Sequence, residues 1–295
     1  MTIRELEKLF IEQLTILYDF QEAQNIAWLA ISSVRGLNRL EYLGAKNDKL
    51  KPDDENKLLE ILQALNTGMP LQYALGETEF YGLPFKVNPA VLIPRPETEE
   101  LVDWILKDLH KQDSLLDLKD LSILDIGTGS GCIPIVLKKN LPQADVTGID
   151  ISPGAIEAAL ENAAVNQVEV RFMVQDVFEL ADSNLNHEFS IVVSNPPYVT
   201  LSEKNLMHQN VLQFEPHNAL FVSDEDPLVF YNAISDFAKN NLEANGLLYL
   251  EINESYGEAT KLLLENKGFH EVEVREDLRG RERMIKAKNA ASTKK

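Results

Sequence analysis

From Glu97 onward, apolar segments of strand length alternate with amphipathic segments of helical length, and this alternation constrains the fold more than any other feature of the sequence. The strand candidates are LSILDI, ADVTGI, VEVRFM, FSIVVS, GLLYLEI, HEVEVRE and RMIKA. Near-continuous apolar strands interleaved with helices are typical of a mostly parallel sheet covered on both faces. The last two strands have no helix between them, which predicts an antiparallel pair at one edge. The pattern therefore predicts an α/β fold.

The intervening helices and the rest of the chain give the expected domain organisation. Helices are predicted to end at Asn140 and to begin near Ser152, Asp226 and Tyr256. Residues 1–67 carry apolar residues at intervals of three and four, which predicts a small helical bundle. Residues 68–96 are rich in Gly, Pro, aromatic and β-branched residues, which predicts a β-hairpin linker. The α/β domain is then expected over 97–288 and a disordered tail over 289–295.

Charge and composition exclude several classes of protein. A formal net charge of -19 at pH 7 opposes binding to a nucleic-acid backbone. No apolar run approaches bilayer length, and the N-terminus lacks the pattern of a signal peptide. The single cysteine, Cys132, and the five histidines lie in separate segments without metal-ligand spacing, so we expect no metal. The expectation is a cytoplasmic protein with no direct nucleic-acid partner and no membrane partner.

A glycine-rich loop follows the first apolar strand and opens the next helix. Its residues are Gly127, Thr128, Gly129, Ser130 and Gly131. The first loop after a strand in such a sheet is where a nucleotide-like ligand normally binds. The dinucleotide fingerprint would need a glycine where Cys132 stands, and no Lys-Ser or Lys-Thr follows as in a phosphate loop. The spacing favours a ligand without a pyrophosphate, and Cys132 is interpreted as a small packing residue.

Two carboxylates end the second and third strands at the same edge of the predicted sheet. Asp150 stands about 20 residues beyond the loop, where an acidic side chain accepts from ribose hydroxyls in such folds. It could instead cap the helix ahead of Ser152, although Ser152 can cap that helix unaided. Asp176 could accept from an adenine amino group, or could simply be a turn residue.

The sequence Asn195-Pro196-Pro197-Tyr198 directly follows the apolar strand FSIVVS. The two prolines supply no backbone N–H donors, and Asn195 is biased toward an extended conformation because a proline follows it. The result is a stiff corner rich in hydrogen-bond acceptors. Taken alone, an Asn-Pro pair is more typical of an ordinary turn.

With the glycine loop, Asp150 and this corner in order, the chain resembles a class I S-adenosyl-L-methionine-dependent methyltransferase of the NPPY type. More closely, it resembles the release factor glutamine N5-methyltransferases, the PrmC or HemK family. The segments that carry the resemblance are ETEFYGLPFKVNPAVLIPRPETE, DIGTGSGCI, GIDIS, NPPY and GRERMIKA. The first of them is the most discriminating, since adenine-N6 methyltransferases share NPPY but are not expected to carry LIPRPETE. The resemblance implies a Rossmann-like, seven-stranded, mostly parallel sheet with an antiparallel edge.

The resemblance also implies a cofactor, S-adenosyl-L-methionine, with S-adenosyl-L-homocysteine as product. The glycine loop would hold the methionine part, Asp150 the ribose, and Asp176 with Val177 the adenine region. Many relatives have tryptophan at the position of Val177, so weaker adenine stacking is expected here. Three residues, by the same resemblance, would line the cofactor pocket and the substrate entrance, unless they serve linker packing and a helix start: Phe80, Arg95 and Thr98.

The substrate implied by the resemblance is the glutamine of the Gly-Gly-Gln loop in class I peptide-chain release factors. The Asn195 side-chain oxygen and the Pro196 carbonyl would accept the two amide N–H groups, with Asn195 also near the cofactor. Pro197 would keep the corner rigid, and Tyr198 would pack against the flat amide. The N-terminal helices would dock the release factor, and a monomer is expected.

Three other readings of the sequence stay open. The chain could methylate a glutamine of a ribosomal protein, or N6 of adenine in nucleic acid. It could be a regulatory module that binds S-adenosyl-L-methionine without catalysis. It could also be a NAD-dependent oxidoreductase, which Cys132 in the glycine fingerprint makes less favourable.

Overall fold

The computed structural model describes residues 1–111, 120–182, 185 and 188–290. The chain divides into two compact units. The helical unit comprises Met1–Glu77 and His208–Phe214, and the sheet unit comprises Thr78–Met207 and Glu215–Lys295.

The helical unit is built from amphipathic helices with defined N-terminal caps. Its helices are α1 Ile3–Leu14, α2 Phe20–Arg35, α3 Arg39–Gly44, α4 Pro52–Leu65, α5 Leu71–Leu75 and α9 Gln209–Phe214. Thr2 and Glu5 form a capping box at α1, and Asp19 caps α2. Leu6 and Phe10 on one face of α1 are fully buried in a core shared with α2 and α4. The unit therefore extends past residue 67, where the sequence predicted its end, and α9 was not predicted at all.

A short hairpin leads into the sheet unit. Strands β1 Glu77–Phe80 and β2 Leu83–Lys86 form a two-stranded sheet. The two residues between them, Tyr81 and Gly82, both have positive φ, at 52° and 72°. Two consecutive residues of positive φ are the geometry of a tight hairpin turn whose twist matches that of its strands.

The sheet unit contains the seven-stranded, mostly parallel sheet that the sequence predicted. Its strands are β3 Ser122–Ile126, β4 Asp145–Asp150, β5 Arg171–Val174, β6 Phe189–Ser194, β9 Leu242–Glu251, β10 His270–Glu276 and β11 Glu282–Lys288. Their order is β10-β11-β9-β6-β3-β4-β5, and β11 pairs antiparallel with both of its neighbours. A second pair, β7 Val199–Thr200 and β8 Phe221–Val222, lies outside this sheet.

Helices cover both faces of the sheet. They are α6 Pro96–Leu109, α7 Cys132–Asn140, α8 Pro153–Asn166, α10 Val229–Asn241 and α11 Gly257–Asn266. Along β6, Ile191 and Val193 belong to one buried apolar cluster and Val192 to another, because successive side chains of a strand point to opposite faces. This confirms the prediction of a sheet buried on both sides.

Several predicted boundaries differ from the observed ones. Strand β5 begins at Arg171, three residues later than predicted. Its pairing with β4 begins there, with Arg171 opposite Thr147. Strand β9 begins at Leu242, and α10 begins at Val229. Asn289, assigned to the tail, is buried: its backbone N–H donates to the Gly246 carbonyl at 2.8 Å. Residues 291–295 of the predicted tail lie outside the described residues.

Across the described part of the chain, none of the helices combines the length and the apolar character that a membrane crossing would need.

Candidate active site

The carboxyl ends of β3, β4, β5 and β6 surround a cavity of about 280 Å³. Strands β3 and β6 are neighbours, and the chain continues from β3 to β4 on one side and from β6 to β9 on the other. This is the topological switch point, where open α/β sheets bind their ligands. Most of the predicted site residues line the cavity: Arg95, Thr98, Gly127, Thr128, Gly129, Ser130, Asp150, Asp176, Val177, Asn195, Pro196 and Pro197.

The glycine loop has positive φ at three positions, but the three glycines have different surroundings. Gly129, with φ of 53°, has open space where a Cβ would lie, so a ligand can approach its backbone. Gly131 does not line the cavity. A Cβ there would lie 3.0 Å from the Ile135 side chain and 3.1 Å from the Ala159 side chain, so glycine lets α7 and α8 pack closely. Gly131, predicted to bind cofactor, is therefore a packing position.

Asp150 lies at the end of β4 with its carboxylate held by backbone groups. The N–H of Gly129 donates to Oδ2 and the N–H of Ser152 donates to Oδ1, both at 2.9 Å. Ser152 caps α8 through its own hydroxyl, which accepts from Ala155. Burial raises the pKa of Asp150, and the backbone N–H groups oppose that shift. Because each carboxylate oxygen can accept more than one hydrogen bond, Asp150 is oriented by the loop and can still accept from a ligand.

An aromatic surface that the sequence analysis missed lies beside Asp176 and Val177. Phe178 and Phe230 both line the cavity, and their ring centroids are 5.2 Å apart. The Phe178 N–H donates to Asp176 Oδ1 at 2.9 Å, which fixes the turn that presents the ring. The signal available in the sequence was the aromatic residue directly after Val177. Phe178 can supply the flat apolar surface that Val177 lacks.

Asn195 is held at the end of β6, beside the glycine loop. The Ser194 hydroxyl donates to the Ile126 carbonyl at 2.6 Å, which joins the last residue of β6 to the last residue of β3. The Asn195 side-chain Nδ2 donates to Thr98 Oγ1 at 3.1 Å. The Thr98 hydroxyl in turn donates to Glu251 Oε2 at 2.7 Å. Glu251 is a site residue that sequence reasoning missed, because nothing in its local pattern marks it.

Tyr198 does not line the cavity, contrary to the expectation that it packs against the substrate amide. Its hydroxyl donates to Glu251 Oε1 at 2.9 Å, and its ring packs against the apolar cluster of β6 and β9. Its carbonyl accepts from Asn253 Nδ2 at 3.1 Å. Tyr198 therefore stabilises the corner, because its hydroxyl is hydrogen-bonded to the buried Glu251 carboxylate.

Arg95 lies at the cavity, whereas Phe80 does not line it. Arg95 lines the cavity and forms an ion pair with the buried Glu215, with Nη2 at 2.7 Å from Oε1 and 2.8 Å from Oε2. This pair holds the segment that leads to Asn218, another cavity residue. Phe80, predicted to line the pocket, is only 1% exposed and packs edge-on against Phe85 in the hairpin core. Its ring is needed to bury the hairpin, so the pocket assignment does not hold.

Two buried ionisable groups, Cys132 and Asp125, flank the glycine loop in the sequence. Burial raises the pKa of the Cys132 thiol to about 12, so it is protonated and unreactive at neutral pH. Burial also raises the pKa of Asp125 to about 7, opposed by the Thr128 hydroxyl. Among the described residues, no group of three or more His, Cys, Asp and Glu side chains could hold a metal ion.

Comparison with known proteins gives two family matches and close relatives. The family model "Methyltransferase small domain" matches residues 104–220, and "PrmC N-terminal domain" matches residues 11–76. The release factor glutamine methyltransferase of Flavobacterium psychrophilum is 45% identical over 97% of this chain and 99% of its own. The one from Bacteroides thetaiotaomicron is 41% identical over 94% of this chain and 96% of its own.

A solved structure shares the fold at low sequence identity. The catalytic domain of hMettl16, in complex with MAT2A 3'UTR hairpin 1, is 16% identical to this chain. It covers 91% of this chain, with 92% of its own length matched, at a TM-score of 0.56. At that identity the match supports the methyltransferase fold and nothing finer.

Proposed function

Because this chain belongs to the release factor glutamine methyltransferase family, we propose that it methylates the side-chain nitrogen of a glutamine in a peptide-chain release factor. The proposed site is the glutamine of a Gly-Gly-Gln loop, and the proposed methyl donor is S-adenosyl-L-methionine. The observation that carries the proposal is the meeting of the glycine loop and the Asn195-Pro196 corner at one cavity. With a release factor as substrate, we expect the protein to act in the cytoplasm, as a monomer.

The cavity residues fit the proposed cofactor. Gly129 leaves open space for a close approach to its backbone, and Asp150 offers oriented acceptors for ribose hydroxyls. Asp176 can accept from an amino group, while Phe178 with Phe230 provides an aromatic wall for a flat base. When bound, S-adenosyl-L-methionine supplies a methyl group activated by a positively charged sulfur and leaves as S-adenosyl-L-homocysteine.

The corner residues supply positioning rather than acid–base chemistry. A carboxamide nitrogen is a weak nucleophile because its lone pair is delocalised into the carbonyl. If the Asn195 Oδ1 and the Pro196 carbonyl accept its two N–H groups, the nitrogen is oriented and its electron density rises. These same oxygens stabilise the positive charge that develops on nitrogen, and the proton that the nitrogen loses passes to water after the methyl group has transferred. Pro197 keeps the corner rigid, so little reorganisation is needed at the moment of transfer.

The helical unit is proposed to dock the release factor. Its match to the PrmC N-terminal domain supports a role shared with the relatives. After α1 and at the first residue of α2, three large apolar side chains are exposed: Ile16 at 84%, Leu17 at 49% and Phe20 at 62%. Exposed apolar groups close together are typical of interaction surfaces.

A radiolabelled methyl-transfer assay tests the proposal. Purified release factor should accept the label, and a release factor whose Gly-Gly-Gln glutamine is replaced by alanine should not. A ribosomal protein and an adenine-containing nucleic acid serve as rival substrates in the same assay. Label incorporated into either rival in preference to release factor, or incorporation that survives loss of the glutamine, would overturn the proposed substrate.

A further inference from the structure

We propose that Glu251, acting through Thr98, fixes which end of the Asn195 amide faces the cavity, and thereby makes the site select a carboxamide over a carboxylate. Glu251 and Thr98 are positioning residues here, because both act through Asn195. The inference rests on the proposed function in taking the bound group to be a glutamine side chain.

The three side chains come together at the ends of two neighbouring strands and the start of a helix. Ser194 pairs with Leu250 in the β6–β9 ladder, so Asn195 and Glu251 follow at the same level of the sheet. Thr98 stands in the first turn of α6. Thr98 is 2% exposed and Glu251 is 1% exposed, so water does not compete for their hydrogen bonds.

Counting protons fixes the direction of each hydrogen bond. The Thr98 hydroxyl has one proton, and the ionised Glu251 carboxylate can only accept it. Having given its proton to Glu251, Thr98 can only accept from Asn195. Asn195 must therefore turn its Nδ2 toward Thr98, which leaves Oδ1 as the end of the amide available to the cavity that Asn195 lines.

Three partners of Glu251 oppose the effect of burial on its carboxyl group. Burial raises the pKa of this carboxyl, and the hydroxyls of Thr98 and Tyr198 oppose the shift by donating to its two oxygens. The positive charge of Arg283 also lowers the pKa, while the negative charge of Glu97 raises it. Both carboxylate oxygens thus have donors, as a buried charge requires.

Contacts that do not involve Thr98 also hold the backbone of the corner. Asn253 Nδ2 donates to the Tyr198 carbonyl at 3.1 Å and to Glu203 Oε2 at 2.9 Å. Asn253, two residues beyond the end of β9, therefore holds the backbone of the corner, while Glu251 at the end of β9 orients the Asn195 amide. Loss of the Thr98 hydroxyl should change the orientation of the amide while leaving the corner in position.

The orientation of Asn195 decides which chemical group the cavity accepts. With Oδ1 facing the cavity, the site matches the two N–H donors of a glutamine amide and repels a glutamate carboxylate. With Nδ2 facing the cavity, the site would instead donate to a carboxylate. The hydrogen bond from Asn195 to Thr98 is thus a specificity device.

The test compares the binding of two short peptides that differ in one residue, one containing Gly-Gly-Gln and one containing Gly-Gly-Glu. Calorimetry in the presence of S-adenosyl-L-homocysteine gives both affinities without turnover. The wild-type protein should prefer the glutamine peptide. In Thr98→Val the preference for the glutamine peptide should fall about tenfold or reverse. The Asn195 Nδ2 loses its acceptor, which is unfavourable for a buried donor, and the amide can then turn its Nδ2 toward the cavity. Thr98→Ser, which restores the hydroxyl, should restore the preference.

Two further variants distinguish a change in the orientation of the Asn195 amide from the general effect of altering a buried polar group. Thr260→Val removes a buried hydroxyl that donates to the Tyr256 carbonyl at 2.8 Å in α11, and it should leave the preference unchanged. Glu251→Gln places an amide where the carboxylate stood. If that amide donates to Thr98, the threonine proton is free to bond Asn195 Oδ1, so this variant too should lose preference.

The outcomes distinguish this inference from the proposed function. If the wild-type protein shows no preference for glutamine, amide recognition by the corner fails, and the inference fails with it. If the wild-type protein prefers glutamine and both Thr98→Val and Glu251→Gln keep that preference, only the positioning role is overturned. If Thr98→Val does not fold, Glu251→Gln and Thr98→Ser carry the comparison. The positioning role is supported if Glu251→Gln loses the preference for the glutamine peptide while Thr98→Ser and Thr260→Val keep it.

Discussion

Replacing Asn195 by alanine removes the one side-chain acceptor that the corner presents to the cavity. The Pro196 carbonyl remains, so one of the two amide N–H groups loses its partner as charge develops on the nitrogen. Removing one preorganised partner of a developing charge costs about 2–4 kcal/mol in the barrier. At a factor of ten for each ~1.4 kcal/mol, the rate of methyl transfer should fall roughly 30- to 700-fold.

Other properties of Asn195→Ala should change little. The substitution removes the hydrogen bond to Thr98, so the free energy of unfolding should fall by only about 1 kcal/mol. Gly129 and Asp150 keep their mutual hydrogen bond, so affinity for S-adenosyl-L-homocysteine should stay within about threefold, since a change that small is under 1 kcal/mol.

Single-turnover transfer of a radiolabelled methyl group at saturating cofactor measures the chemical step, and calorimetry measures cofactor affinity. Asn140→Ala is the matched control, because its Nδ2 donates to the Val136 carbonyl at 2.9 Å at the C-terminal end of α7, and Asn140 does not line the cavity. A rate for Asn195→Ala within about threefold of the control, a loss of under 1 kcal/mol, would refute the assigned role. A parallel loss of cofactor affinity would show that the residue acts in binding instead.

Phe178→Ala should weaken binding of S-adenosyl-L-homocysteine by about tenfold, since stacking on an aromatic ring contributes roughly 1–3 kcal/mol per base; unchanged affinity by calorimetry would exclude an adenine contact. Asp125 has a folded-state pKa raised from 3.8 to about 7, so its stabilising contribution is fully present below pH 3.8 and is lost as pH rises to about 7. The free energy of unfolding of the wild type relative to Asp125→Asn should therefore fall across that window, by up to about 1.4 kcal/mol per pH unit, and a flat difference in denaturant titrations would contradict the burial argument. Replacing Ile16 and Phe20 together by glutamate should raise the KM for a folded release factor more than the KM for a short Gly-Gly-Gln peptide; equal effects on the two would count against docking on this surface.

The hydrophobic pattern and the turn residues were enough to predict the order of strands and helices along the chain and the edge of the sheet that carries the candidate site. Parallel strands all place their carboxyl ends at one edge, so residues that directly follow strands β3, β4, β5 and β6 had to meet there. Gly129, Asp150 and Asp176 could therefore be assigned to one edge of the sheet from their positions in the chain, and the family resemblance added Asn195.

The tertiary structure decided where each side chain of the site points and which distant residues it contacts. Phe80 packs against Phe85 in the hairpin core, and the Tyr198 hydroxyl donates to Glu251. Neither position could be predicted locally, because burial of a ring depends on neighbours from other elements. Thr98 and Glu251 lie 153 residues apart and carry no local signal of their contact. A hydrogen bond of this kind forms only when the sheet and α6 have packed, since its direction is set by donors and acceptors that local sequence periodicity does not encode.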